Sequence, residues 1–128
     1  LNSSLSLYRR LRVQYRDLFA SLEARGISEV TLVGDTDIAE IAIIASFGSN
    51  IRITTLVNDK TNQDQVGPVP VVNSLDKNTA GMVMIVDARS PQECFDQLHK
   101  DIGADRIVFP DAFYISPPRQ TDPADEVA

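Results

Sequence analysis

The chain has no tryptophan, one cysteine, one histidine and only six glycines in 128 residues. A single cysteine excludes an internal disulfide framework and suits a reducing, cytoplasmic setting. One cysteine and one histidine also fall short of any Cys/His metal centre, so no metal site is expected. Nor do they make a catalytic pair. Cys94 and His99 stand five residues apart on one expected helix, which turns them to different faces, and neither has an orienting partner. No apolar run reaches the roughly 18 residues that a bilayer span requires, so no membrane contact is expected. The opening "LNSSLSLYRRLR" lacks the hydrophobic segment of a secretory leader. An excess of basic residues is missing too: 12 Lys and Arg face 18 Asp and Glu, for a net charge of -6. Such a surface repels nucleic-acid phosphates, so DNA contact would need a local basic patch or a segment outside this chain.

What is present is an ordinary globular composition, 43% hydrophobic and 23% charged, enough for one core. The chain starts at Leu1 almost directly in a helix, as expected of a domain cut from a longer protein. Residues 5–25 are expected as that helix, with Tyr8, Leu11, Tyr15, Leu18 and Leu22 on one stripe and Gly26 as its cap. Arg9, Arg10, Arg12 and Arg16 fall mostly off the stripe. Both a coiled-coil seam and packing on the domain fit a stripe of three heptads.

Beyond it, apolar runs of strand length alternate with helical patterns. Strands are expected at 30–33, 51–57, 69–72, 82–86 and 106–109, with "MVMIV" as the buried centre. Helices are expected from Asp37 to Phe47 and after Ser90, where Pro91 takes the first position and Glu93 the first turn. Cys94, Phe95, Leu98 and Ile102 supply the apolar face of the latter. "NDKTNQDQVGP" reads as a polar loop, and "NSLDKN" as a brief helix capped by Ser74. The alternation implies an α/β fold with a parallel sheet of strand order 3-2-1-4-5, Rossmann-like, preceded by a long helix. The expected division is a linker or dimerisation helix over 1–26, the sheet domain over 27–115, and a disordered, acidic, proline-rich tail over 116–128.

"VTLVGDTDIAEIAIIASFG" holds the decisive turn. A dinucleotide turn reads G-x-G-x-x-G/A, the middle glycine letting backbone approach the pyrophosphate. Here those places hold Gly34, Thr36 and Ala39. Thr36 obstructs that approach, while Asp35 and Asp37 compete with a phosphate for the helix N-terminus. Asp37 doubles as the expected helix cap. In favour of a ribose-bearing ligand, Asp59 follows the second strand twenty residues beyond Ala39, beside Asn58. Asp35, Asp59, Asp87 and Asp111 each follow a strand, which would gather four carboxylates on one sheet edge, with Arg89 available to neutralise Asp87. Such an edge attracts an amine or Mg²⁺ and repels an unshielded diphosphate. The candidate ligand-contacting residues are therefore Gly34, Asp35, Thr36, Asp37, Asn58, Asp59 and Asp87. No catalytic residue is assigned, and the cofactor is left open between a nucleotide and none.

"DTD" at 35–37 also resembles the first motif of haloacid-dehalogenase-type phosphatases, where Asp35 and Asp37 would be nucleophile and acid/base beside Mg²⁺. The chain lacks that family's flap and its later acidic pair.

"DIAEIAIIASFG" is apolar on most of its circumference, with Asp37, Glu40 and Ser46 as its polar side chains. A helix covering a sheet needs only one apolar stripe, so a second layer is expected around it, from the first helix within the subunit or from a symmetry mate. A homodimer through the first helix and the Ile38–Phe47 helix is expected.

Taken together, "YRDLFASLEARGISEVTLVGDTDIAEIAIIAS", "LVND", "VPVV" and "RIVFPD" resemble the C-terminal domain attached to some MarR-type winged-helix transcriptional regulators, over about residues 8–112. There a linker helix leads into a Rossmann-like domain whose turn reads roughly "GAGEVAEIA"; "IAEIA", Ile38 to Ala42, is the most specific part here. The resemblance implies a non-catalytic regulatory domain, sensing a ligand or dimerising, with its DNA-binding part outside this chain. The chain is also similar to nucleotide-sugar-binding modules of polysaccharide enzymes, in which a G-x-PV strand follows the second strand, as Gly67 to Val72 does here.

Overall fold

A computed structural model of the chain describes residues 2–78 and 81–117. The expected tail lies mostly outside the described residues. Helix α1 (Asn2–Ala24) stops at Gly26, whose φ of 81° lets the Ile27 N–H return to the Leu22 carbonyl at 3.0 Å. Its buried row is Leu11, Tyr15, Phe19 and Leu22, which keeps Leu11, Tyr15 and Leu22 of the expected stripe and adds Phe19. Tyr8 is exposed and Leu18 half-buried. The 4-4-3 spacing follows the ridge of a straight helix packed in a globular layer. Tyr15 Oη donates to the Ile85 carbonyl at 2.7 Å, and its ring meets Phe113 edge-on at 6.5 Å. The Ala112 N–H donates to Gln14 Oε1 at 2.8 Å. These contacts tie α1 into the single core.

The sheet holds β1 (Glu29–Gly34), β2 (Arg52–Val57), β3 (Gln65–Val66), β4 (Val69–Val72), β5 (Met82–Val86) and β6 (Ile107–Val108). Its order is β3-β4-β2-β1-β5-β6, parallel throughout except for β3 on β4. The six-stranded order differs from the expected five-stranded 3-2-1-4-5 by the added edge strand β3, while the five expected strands keep that sequence among themselves. The stretch expected as one polar loop contributes a sixth strand, because the two-residue turn Gly67–Pro68 folds Gln65–Val66 back along Val69–Pro70. The helix expected after Ser74 does not form. Asp76 Oδ1 instead accepts the Asn78 N–H at 2.9 Å, a local turn that competes with helical bonding.

β5 is buried at all five positions, as a strand paired on both sides and covered on both faces requires. Helix α2 (Thr36–Ser46) joins β1 to β2, and α3 (Pro91–His99) joins β5 to β6. The two connections run in opposite directions across the sheet, so right-handed crossovers put their helices on opposite faces. α1 packs beside α2. Among the described residues no helix is long and apolar enough to cross a membrane.

Candidate functional site

Strands β1, β2 and β5 present their carboxyl ends to one edge, where the turns that leave them lie side by side. Gly34 closes β1 with a φ of 142°, and a Cβ there would lie 2.5 Å from the Val86 carbonyl carbon. The Asp35 N–H donates to the Val86 carbonyl at 3.0 Å. The first glycine of the turn is therefore consumed by the approach of β1 to β5. Asp35, not Asp37, holds the cap position of α2, with extended backbone and no capping bond from its side chain. Its carboxylate is drawn instead to the Ala88 backbone N–H. Asp37 is exposed in the first turn of α2.

Asn58 staples the edge together. Its Nδ2 donates to the Gly34 carbonyl at 2.8 Å, while its Oδ1 accepts the Lys60 and Thr61 N–H groups at 2.8 and 3.0 Å. Both ends of the amide are thus engaged by backbone, which makes Asn58 a positioning residue for the Gly34 turn. Asn58→Ala removes three bonds worth about 0.5–1.5 kcal/mol each. A loss of roughly 2 kcal/mol, read by denaturant unfolding, is the expected result.

Around this staple opens a cleft of about 640 Å³ that brings Gly34, Asp35, Asn58, Asp59 and Asp87 together. An adjoining hollow of about 350 Å³ shares Asp35 and Asn58 and adds Thr36, Asp37 and Arg89. Asp111 is not part of either; it starts a short 3-10 turn, Asp111–Phe113, beside α1. The expected edge of four carboxylates is therefore one of three. Arg89 does not neutralise Asp87 as expected. Asp87 Oδ1 accepts the Arg89 and Ser90 N–H groups at 3.0 and 2.9 Å, and the Arg89 charge acts on Asp35.

Sequence reasoning missed several lining residues: Lys60, Lys77, Glu93, Gln97 and Asp101. Glu93 had a signal, since the crossover from β5 aims the α3 N-terminus at this edge. Lys77 and Asp101, paired at 3.3 Å, come from irregular segments with no periodicity to read. Counting Asp35, Asp59, Asp87, Glu93 and Asp101 against Lys60 and Lys77, the cleft carries an acidic excess. Burial first, then the neighbouring Asp87 charge, pushes the Asp35 carboxyl above its usual range, only partly offset by the Ala88 N–H and Arg89. An ionised Asp35 therefore destabilises the fold at neutral pH, and the penalty is relieved as pH falls through its raised pKa. Asp35→Asn keeps an acceptor for Ala88 and removes the charge, so a higher Tm at pH 7 is expected; a lower one would show the charge itself to be stabilising.

Cys94 lines the same cleft, but burial and the carboxylates of Asp87 and Asp35 push its thiol up to about 12. His99 stacks on Phe95 at 5.7 Å, and its Nδ1 lies 3.2 Å from the Ile102 carbonyl oxygen. No cluster of three His, Cys, Asp or Glu side chains suited to a metal ion occurs among the described residues. The arrangement thus offers carboxylate acceptors for hydroxyl or amine donors, on a floor that includes Val33, Val57 and Leu98. It opposes an unshielded diphosphate by charge. Comparison of the chain with protein-family models, curated proteins and solved structures gives no match.

Proposed function

We propose that this chain is the Rossmann-like, non-catalytic regulatory domain of a bacterial-type, cytoplasmic transcriptional regulator whose DNA-binding part lies outside it. It senses a ribose-bearing small molecule at the strand edge and acts as a homodimer. The observation that carries this reading is the placement of α2. Its N-terminus borders the cleft through Asp35 and Thr36, while Ile44 and Phe47 near its other end are 61% and 69% exposed. One eleven-residue helix therefore joins a ligand cleft to an apolar surface suited to association. A ligand that favours one position of α2 shifts the other end by the same differential free energy, as coupling requires.

Charge selects the ligand class. Asp59 stands at the carboxyl end of β2, where a carboxylate accepts ribose hydroxyls, and the acidic excess selects a neutral or cationic nucleoside over a dinucleotide. The nucleotide-sugar alternative requires a diphosphate in the same cleft, and the Mg²⁺ phosphatase requires a metal cluster around Asp35. A thermal-shift panel separates the three: neutral nucleosides, NAD, NADP, coenzyme A, nucleotide sugars and Mg²⁺. A ligand at about a hundred times its Kd adds roughly 2.7 kcal/mol, several degrees in a domain of this size. The expected response is to a nucleoside, lost in Asp59→Ala. A response to a nucleotide sugar supports the biosynthetic alternative, and phosphate release in the presence of Mg²⁺ overturns the non-catalytic reading.

A further inference from the structure

Between α1 and α2 runs an open groove of about 700 Å³ whose walls carry opposite charge. Arg9 and Arg12 stand on the α1 wall, Asp37 and Glu40 on the α2 wall, and Leu5, Tyr8, Ile41 and Ile44 supply the apolar surface between them. All four charged side chains are exposed. Among the described residues no ion pair joins Arg9 or Arg12 to Asp37 or Glu40 across this groove. Leu5, Tyr8 and Ile44 are 53%, 45% and 61% exposed, an apolar strip that a single copy leaves to water. On the far side of α2, Phe47 borders a second hollow of about 550 Å³ against Ile53, Pro68 and Pro70. α2 thus stands between two hollows, and a face that pairs with a copy of itself must do so about a two-fold axis.

We propose that this face is the isologous interface of a two-fold homodimer, with the symmetry axis running along the α1–α2 groove. The inference rests on the homodimer part of the proposed function and adds its surface and axis. Charge fixes the axis. Turning a second copy over about an axis parallel to the groove exchanges left and right, so each basic wall meets the mate's acidic wall. Turning it over about an axis across the groove leaves the walls in place and sets like charge against like. The first arrangement pairs Arg9 and Arg12 with Asp37 and Glu40 of the second copy twice over, while the exposed Leu5, Tyr8 and Ile44 of the groove are removed from water. The second costs several repulsive contacts at the rim of an apolar patch.

Sedimentation velocity on the whole chain tests it with two charge-reversed variants, Arg9→Glu/Arg12→Glu and Asp37→Arg/Glu40→Arg. The expected result is a dimer for the wild type at tens of micromolar. Each variant alone should associate more weakly by about tenfold or more, with unchanged circular dichroism. An equimolar mixture of the two should dimerise like the wild type, because every contact between unlike copies is then attractive. Charges acting only within one chain cannot be rescued by mixing. Variants that dimerise normally, or a mixture that does not recover, overturn this interface while leaving a homodimer through another surface. A wild type that stays monomeric overturns both the interface and the homodimer, without touching the ligand cleft, which the thermal-shift panel tests separately.

Discussion

Gly34→Ala is expected to lower the stability of this domain by about 3–5 kcal/mol, a large share of the roughly 5–15 kcal/mol available to a domain. Two costs combine. A φ of 142° is a region that side chains with a Cβ rarely adopt, at about 1–3 kcal/mol. The new Cβ would also sit 2.5 Å from the Val86 carbonyl carbon and 2.7 Å from the Asp87 nitrogen. Both are backbone atoms at the end of the buried central strand, so relief requires β1 to move from β5, and overpacking of this kind adds about 1–3 kcal/mol. The movement would also break the Asp35 N–H bond to Val86 and the Asn58 bond to the Gly34 carbonyl. Chemical denaturation of the purified variant checks this. A variant of wild-type stability that has lost ligand binding would show instead that the glycine is kept for a ligand's approach.

Alkali is expected to weaken the fold by up to about 4 kcal/mol between pH 9 and 12, through Cys94 alone. The sign is set by where the proton sits. The Cys94 thiol titrates at 9.0 ordinarily and at about 12 in the folded chain, held up by burial and by the carboxylates of Asp87 and Asp35. Within that window the unfolded chain has released its proton and the folded chain has not, so stability falls by about 1.4 kcal/mol per pH unit. Below pH 9 both states are protonated and nothing is lost. Tyr15 adds to the decline above pH 10, because burial raises its phenol well above 10.0 while its Oη donates to Ile85. Urea unfolding at pH 8, 9 and 10 separates the two, since Tyr15 barely contributes below pH 10. Cys94→Ala should flatten the decline between pH 9 and 10. An equally steep decline in that variant would place the titrating group elsewhere. The same burial predicts slow reaction of the native thiol with an alkylating reagent at pH 8.

The apolar runs and their punctuation carried most of the architecture, because buried parallel strands read as continuous hydrophobic stretches. "MVMIV" is a central strand for that reason. What escaped was tertiary in origin. Phe19 joins the buried row of α1 because α1 packs on α2 and the sheet, which no heptad count shows. β3 is two residues long, too short for periodicity, and exists only because β4 offers an edge. At the site, the strand-end carboxylates Asp35, Asp59 and Asp87 were legible from position alone. Asp111 was not separable from them, since the chain turns toward α1 after β6. Gly34 was legible as a glycine the turn needs. Its use against the Val86 backbone was not, since that contact joins residues fifty-two positions apart.

The most direct measurement is a set of ¹⁵N–¹H correlation spectra of the domain during titration with neutral nucleosides. The expected changes lie at Gly34, Asp35, Asn58, Asp59 and Asp87 and continue along α2 to Ile44 and Phe47, with no comparable response to NAD. Spectra unchanged by any nucleoside, or changes confined to residues away from the cleft, would contradict a ligand-sensing strand edge coupled to the association surface.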